Sequence, residues 1–184
     1  EEEEVEVVEE STPFVSIWRL TDDLTIKLPL VEFDHEGNEL EYTFEVCWGD
    51  APGEDETCSD ISSFDDEDRT FEYKEAGDYT VTITGTMESI QFGHADFVNE
   101  RDKLIEITDL GDVGWTSFKN AFTNCSALGE VSGGNTSNVT TMENMFRSST
   151  ATTINSEDWD TLKVESMAAM FNVCNSCQPV LSSW

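Results

Sequence analysis

Basic residues are scarce in this chain: nine lysines and arginines stand against 40 aspartates and glutamates, a formal net charge of −31 over 184 residues. Such a field repels phosphate backbones and anionic lipid headgroups, which argues against nucleic acid and against direct membrane insertion of this segment. Histidine is nearly missing as well. His35 and His94 fall in a turn and a loop with no serine or cysteine motif beside them, so a nucleophile paired with a base has no foothold. Carboxylates are too abundant for any pair to stand out as a glycosidase couple, whose spacing is a matter of geometry. No run of about 18 apolar residues is present to span a bilayer, and no basic stretch precedes a short apolar one at the start. The chain has no initiator methionine and is expected to be a mature or trimmed product. Together these absences point away from an enzyme.

What is present suffices for folded cores: 38% of residues are hydrophobic, with five Trp, three Tyr and eleven Phe. The exception is the opening EEEEVEVVEE, where like charges oppose packing. Residues 1–12 are therefore expected to form a disordered acidic leader. The acidic excess suits a saline or calcium-rich extracellular setting. Oxygen ligands concentrate in the stretches around Asp50 and Asp55 and around Asp65, Asp66 and Asp68. These five are the candidate calcium ligands, although their spacing is not that of an EF-hand loop.

Five cysteines suggest an oxidising compartment and leave one unpaired within the molecule. Cys47 and Cys58 bracket turn chemistry at Gly49, Asp50, Pro52 and Gly53, so a hairpin would bring them to bonding distance. Cys174 and Cys177 spell C-x-x-C. With no second pair to complete a zinc site, a packed cysteine or a local disulfide is expected there rather than redox chemistry.

Between Pro13 and Phe92 apolar residues alternate with polar ones: Leu24, Ile26 and Leu28; Tyr42, Phe44, Val46 and Trp48; Tyr79, Val81 and Ile83. Period two with intervening turns predicts a β-sandwich over residues 13–100. Cys47-Trp48-Gly49-Asp50, Phe71-Glu72-Tyr73 and Ala76-Gly77-Asp78-Tyr79-Thr80-Val81-Thr82-Ile83 resemble the PKD-type immunoglobulin-like domain. Ala51 and Glu72 depart from that pattern.

From Lys103 onward the text repeats at steps of 24 and 25 positions: Trp115, Val139, Val164; Phe118, Met142, Met167; Phe122, Phe146, Phe171. Within a copy, Val139, Met142, Met145 and Phe146 fall at helical spacing behind the cap candidates Thr136, Ser137 and Asn138. This predicts about three strand–turn–helix units over residues 101–184, stacked to share a core. Trp159-Asp160-Thr161, Thr136-Ser137-Asn138-Val139-Thr140, Met142, Met145-Phe146 and Met167 with Met170-Phe171 resemble the BspA-like leucine-rich repeats of bacterial surface proteins. Cys125 and Cys174 take that repeat's closing position. Trp184 lies 25 positions after Trp159, where a fourth copy would begin, and the array is expected to continue or to be truncated.

The expected fold is thus mixed, an N-terminal PKD-like β-sandwich followed by a short leucine-rich-type α/β solenoid. The expected function is a non-catalytic secreted or cell-surface adhesion module for a protein or glycan. The alternative is a structural subunit of an extracellular filament or surface layer, self-associating through repeats and calcium-bridged acidic faces.

Overall fold

The computed structural model describes residues 11–49, 57–181 and 184. Among the described residues nine strands follow the chain: β1 (Phe14–Leu20), β2 (Thr25–Lys27), β3 (Tyr42–Cys47), β4 (Cys58–Ile61), β5 (Thr70–Glu72), β6 (Gly77–Met87), β7 (Leu104–Asp109), β8 (Glu130–Val131) and β9 (Thr153–Ile154). They make a seven-stranded sheet in the order β4-β3-β6-β1-β7-β8-β9 and a two-stranded ribbon, β2-β5. Pairing is antiparallel from β4 to β7 and parallel from β7 to β9.

Alternation along β3 and β6 turns Tyr42, Phe44, Val46, Val81 and Ile83 inward and leaves Thr43, Glu45, Thr80 and Thr84 exposed. The ribbon packs against this face. Trp48 stacks on Phe71 with ring centroids 5.4 Å apart, and the Tyr73 hydroxyl donates to the Trp48 carbonyl at 2.6 Å. The chain turns at Gly49, whose φ of +63° and whose approach to the Thr80 carbonyl, 2.1 Å from where a Cβ would lie, leave no room for a side chain.

The repeats correct the expected fold class. Among the described residues there is no α-helix, only short 3-10 turns at Glu67–Arg69 and Ala95–Glu100, so the chain is not an α/β leucine-rich solenoid. Each copy is instead a coil of consecutive tight turns. Phe118, Asn120, Phe122 and Asn124 donate their N–H groups to the carbonyls of Thr141, Glu143, Met145 and Arg147 in the next coil, at 2.8–2.9 Å. Met142, Asn144, Phe146 and Ser148 repeat this toward Ser166, Ala168, Met170 and Asn172. The interleaved residues Ala121, Thr123 and Cys125 donate three positions back, as do Met145, Arg147 and Ser149. A helix would send each of these N–H groups four residues back.

The physical reason is backbone handedness. Asn120 and Asn124, Asn144 and Ser148, and Ala169 and Val173 all hold φ between 54° and 62°, the left-handed region that ends a right-handed helix. Spacings of three and four still put Phe118, Ala121, Phe122 and Cys125 on the buried side, which is why the text imitates helical periodicity. Each coil opens with a hydroxyl that accepts the N–H two residues on, at 3.3 Å: Ser117 from Lys119, Thr141 from Glu143, Ser166 from Ala168.

Two aromatic columns run from the β layers through the coils. One comprises Phe92, Phe122, Phe146 and Phe171, with centroids 6.3, 5.6 and 5.8 Å apart. The other joins Phe14, Trp115, Phe118, Trp159 and Trp184 at 4.9–6.4 Å. A segment ahead of the expected repeats already docks onto them: Ser89 bridges Ser117, and Phe92 and Gly93 donate to the carbonyls of Ala121 and Asn120. With β7 paired to β1, the units expected on either side of residue 100 share one sheet and one hydrophobic core.

Candidate functional site

A half-open cleft of about 380 Å³ lies on the β layers, built from three separate stretches: Leu30 to Phe33, Phe64 with Arg69, and Gln91 to Phe97. The volume falls in the roughly 300–1,000 Å³ range of small-ligand sites. Its floor is apolar, from buried Leu30 and Phe97, and Phe33, 49% exposed, stands at one wall. Arg69 ties the walls together by donating from Nη1 to the Leu30 carbonyl at 3.1 Å and to the Phe64 carbonyl. Its guanidinium carbon lies 5.8 Å from the Phe97 ring centre, and the Lys27 ammonium approaches the same ring at 5.5 Å. Burial draws the Arg69 pKa below its usual value, opposed by Asp65 and other nearby groups.

The third stretch is fixed by Arg101, which donates from Nε to the Phe92 carbonyl at 2.7 Å and from Nη2 to the carbonyls of Gly93 and His94 at 3.1 Å. His94 caps the following 3-10 turn, its Nδ1 accepting the Asp96 N–H at 3.3 Å. Its ring packs 5.9 Å from Phe97. Among the described residues, no hydroxyl or thiol side chain lines this cleft. What it offers is an exposed phenylalanine ring over an apolar floor, beside an imidazole, an amide, a guanidinium and carboxylates, a surface suited to holding a ligand.

Of the expected calcium ligands, Asp50 and Asp55 lie outside the described residues. Asp66 turns inward on its own loop: its carboxylate accepts from the Ser62 N–H and hydroxyl and from the Asp68 N–H, which hold its pKa below the usual range. Asp65 accepts from the Ser63 hydroxyl at 2.8 Å, and Asp68 is exposed. Among the described residues, the grouping of three potential ligand side chains within 4.8 Å is Glu45 with Cys47 and Cys58, and those two sulfurs are bonded to each other. Cys47 and Cys58 face across β3 and β4 with Cα atoms 4.1 Å apart. Cys174 bonds Cys177 within the third coil, and Cys125 is free and buried. Two disulfides are compatible with an extracellular protein.

The cleft is not legible in the sequence. Phe33, the pair Phe64 and Arg69, and His94 come from three stretches well separated in the chain, and the only local hint is Arg69, a lone cation after the acidic run Asp65 to Asp68.

Residues 116–184, which make up most of the coils, match a family model described as Mycoplasma protein of unknown function, DUF285. No curated protein and no solved structure matches the chain.

Proposed function

We propose that this chain is a non-catalytic, secreted or cell-surface binding module that recognises a protein or glycan through the cleft on its β layers, with the coils as a rigid extension of the same sheet. The observation that carries the reading is the cleft itself: Phe33 offers an exposed ring above a floor of buried Leu30 and Phe97, while Gln91, His94 and Asp96 bring polar groups beside it. The resemblance to PKD-type and BspA-like surface proteins supports a surface setting, as do the disulfides. The test is a screen of the chain against immobilised neutral glycans and peptides, repeated with Phe33→Ala and His94→Ala. Hits should weaken at least about tenfold, the effect of losing roughly 1.4 kcal/mol of contact. Hits that bind both variants as tightly as the parent would refute the assignment.

A second reading, self-association, is favoured by the end of the chain, where Leu162 is 93% exposed and Val173 and Leu181 are exposed as well. Light scattering in calcium and then in chelator separates the two: a monomer in both removes self-association.

A further inference from the structure

Glu100 and Lys103 are the only charged residues buried among the described ones. A buried ion pair is costly to desolvate and is often replaceable by apolar side chains without loss of stability, so its geometry merits a chemical reading. The Lys103 Nζ lies 2.8 Å from Asp23 Oδ2, 2.7 Å from the Thr25 carbonyl, and 3.2 and 3.3 Å from the two Glu100 oxygens. Both carboxylates and the lysine backbone are pinned. The Asp23 Oδ1 accepts the Thr25 N–H at 3.1 Å, Glu100 Oε2 accepts the Lys27 N–H at 3.3 Å, and the Lys103 carbonyl accepts the Arg19 N–H at 2.7 Å. An amine thus sits against one carboxyl group while a second, buried carboxyl touches the same nitrogen.

We propose that Lys103 and Asp23 become joined by an intramolecular isopeptide bond, with Glu100 as the catalytic proton carrier. Glu100 takes a proton from the Nζ ammonium, and the freed lone pair attacks Asp23 Cγ, forming the C–N bond. Glu100 returns that proton to an Asp23 oxygen, takes a second from the nitrogen of the tetrahedral intermediate, and delivers it to the same oxygen as the C–O bond breaks. Two of the three ammonium protons leave with that oxygen as water, one positive and one negative charge disappear together, and no oxidant or further reactant takes part.

Three observations favour the step. The amine is held in hydrogen-bond contact with the carboxyl group it would attack, 2.8 Å from Asp23 Oδ2, and such enforced proximity, for which effective molarities reach about 10⁵–10⁸ M, offsets the tendency of an amide to hydrolyse. Burial raises the Glu100 carboxyl above its ordinary range, against the pull of Lys103, which suits a group that must accept and return a proton. Asp23 is 53% exposed at its side chain, which gives the released water a way out. The product ties the β1–β2 loop to the start of β7 across 80 positions of sequence, at the point where the chain enters the coils.

Intact-mass spectrometry of the reduced, denatured chain tests this directly. The expected result is a mass one water below that of the sequence, with digestion yielding a branched peptide that carries Asp23 and Lys103. Lys103→Arg, Asp23→Ala and Glu100→Gln should each restore the full sequence mass, and because the bond is detected on the parent chain the outcome does not depend on how well a variant folds. A parent chain of full mass overturns the proposal, as does a water loss mapping to other residues or persisting in Lys103→Arg. Persistence in Glu100→Gln alone overturns the role of Glu100.

Discussion

Replacing Asn144 separates a coil of tight turns from a helix by sign. Its φ of 55° lies in the left-handed region, while its N–H donates to Ala168 of the next coil and its carbonyl accepts from Arg147, so the backbone cannot relax without breaking contacts in two directions. A left-handed residue other than glycine costs about 1–2 kcal/mol, with asparagine among the least penalised. Asn144→Ala should therefore lose about 1 kcal/mol and Asn144→Val about 2 kcal/mol. Asn144→Gly should be close to neutral, because relief of the backbone offsets the entropy of the unfolded chain, itself about 0.4–1 kcal/mol. A helix interior demands the reverse order, alanine gaining up to about 0.7 kcal/mol over asparagine and glycine losing stability. Urea unfolding reads the series: with a slope near 2 kcal/mol/M, the alanine midpoint should fall by about 0.5 M at unchanged slope. A stabilised alanine variant beside a destabilised glycine variant would refute the turn account.

Other perturbations probe separate parts of the molecule. Reducing the Cys47–Cys58 bond, which spans 11 positions, should lower stability by about 3 kcal/mol on the loop-entropy model, read as a urea midpoint shift that Cys47→Ser with Cys58→Ser reproduces. Burial raises the pKa of the Cys125 thiol, so it should resist alkylation in the native state at neutral pH and react fully on denaturation; rapid native labelling would contradict its placement. Asp66, its pKa held below the ordinary aspartate range by the N–H groups of Ser62 and Asp68, adds stability that is present above the unfolded value and lost as pH falls through the lower folded one. The stability difference between the parent and Asp66→Asn should accordingly shrink on acidification through that range, and a difference that grows would reverse the assignment.

How far the sequence foretells this structure depends on whether a signal is local. Period two in Tyr42-Phe44-Val46 and Tyr79-Val81-Ile83 marks β3 and β6 because one face of each is buried and the other wet. Repetition likewise exposes the columns of Phe122, Phe146 and Phe171, since stacked coils must place equivalent rings together. The conformation within each copy is hidden because consecutive tight turns and a helix share the spacings of three and four. The distinguishing sign, left-handed residues at 120, 144 and 169, is written as Asn, Asn and Ala and does not stand out as glycine would. Ser89 to Gly93 lies outside the periodic pattern because Ser89 precedes Ser117 by 28 positions rather than the 24 or 25 of the repeat. The Asp23–Glu100–Lys103 cluster and the cleft are products of tertiary assembly, joining loops that no motif connects. The disulfide between Cys47 and Cys58 is legible from its turn residues, whereas Asp66, a ligand candidate by composition, spends its carboxylate on capping its own loop.

The β layers and the coils form one body, joined through β1, β7 and β8 and through aromatic columns that cross from one to the other. Differential scanning calorimetry reads this unity as a single cooperative transition. One endotherm with equal calorimetric and van't Hoff enthalpies is the predicted result, while two separable transitions, one surviving when the other has melted, would contradict it.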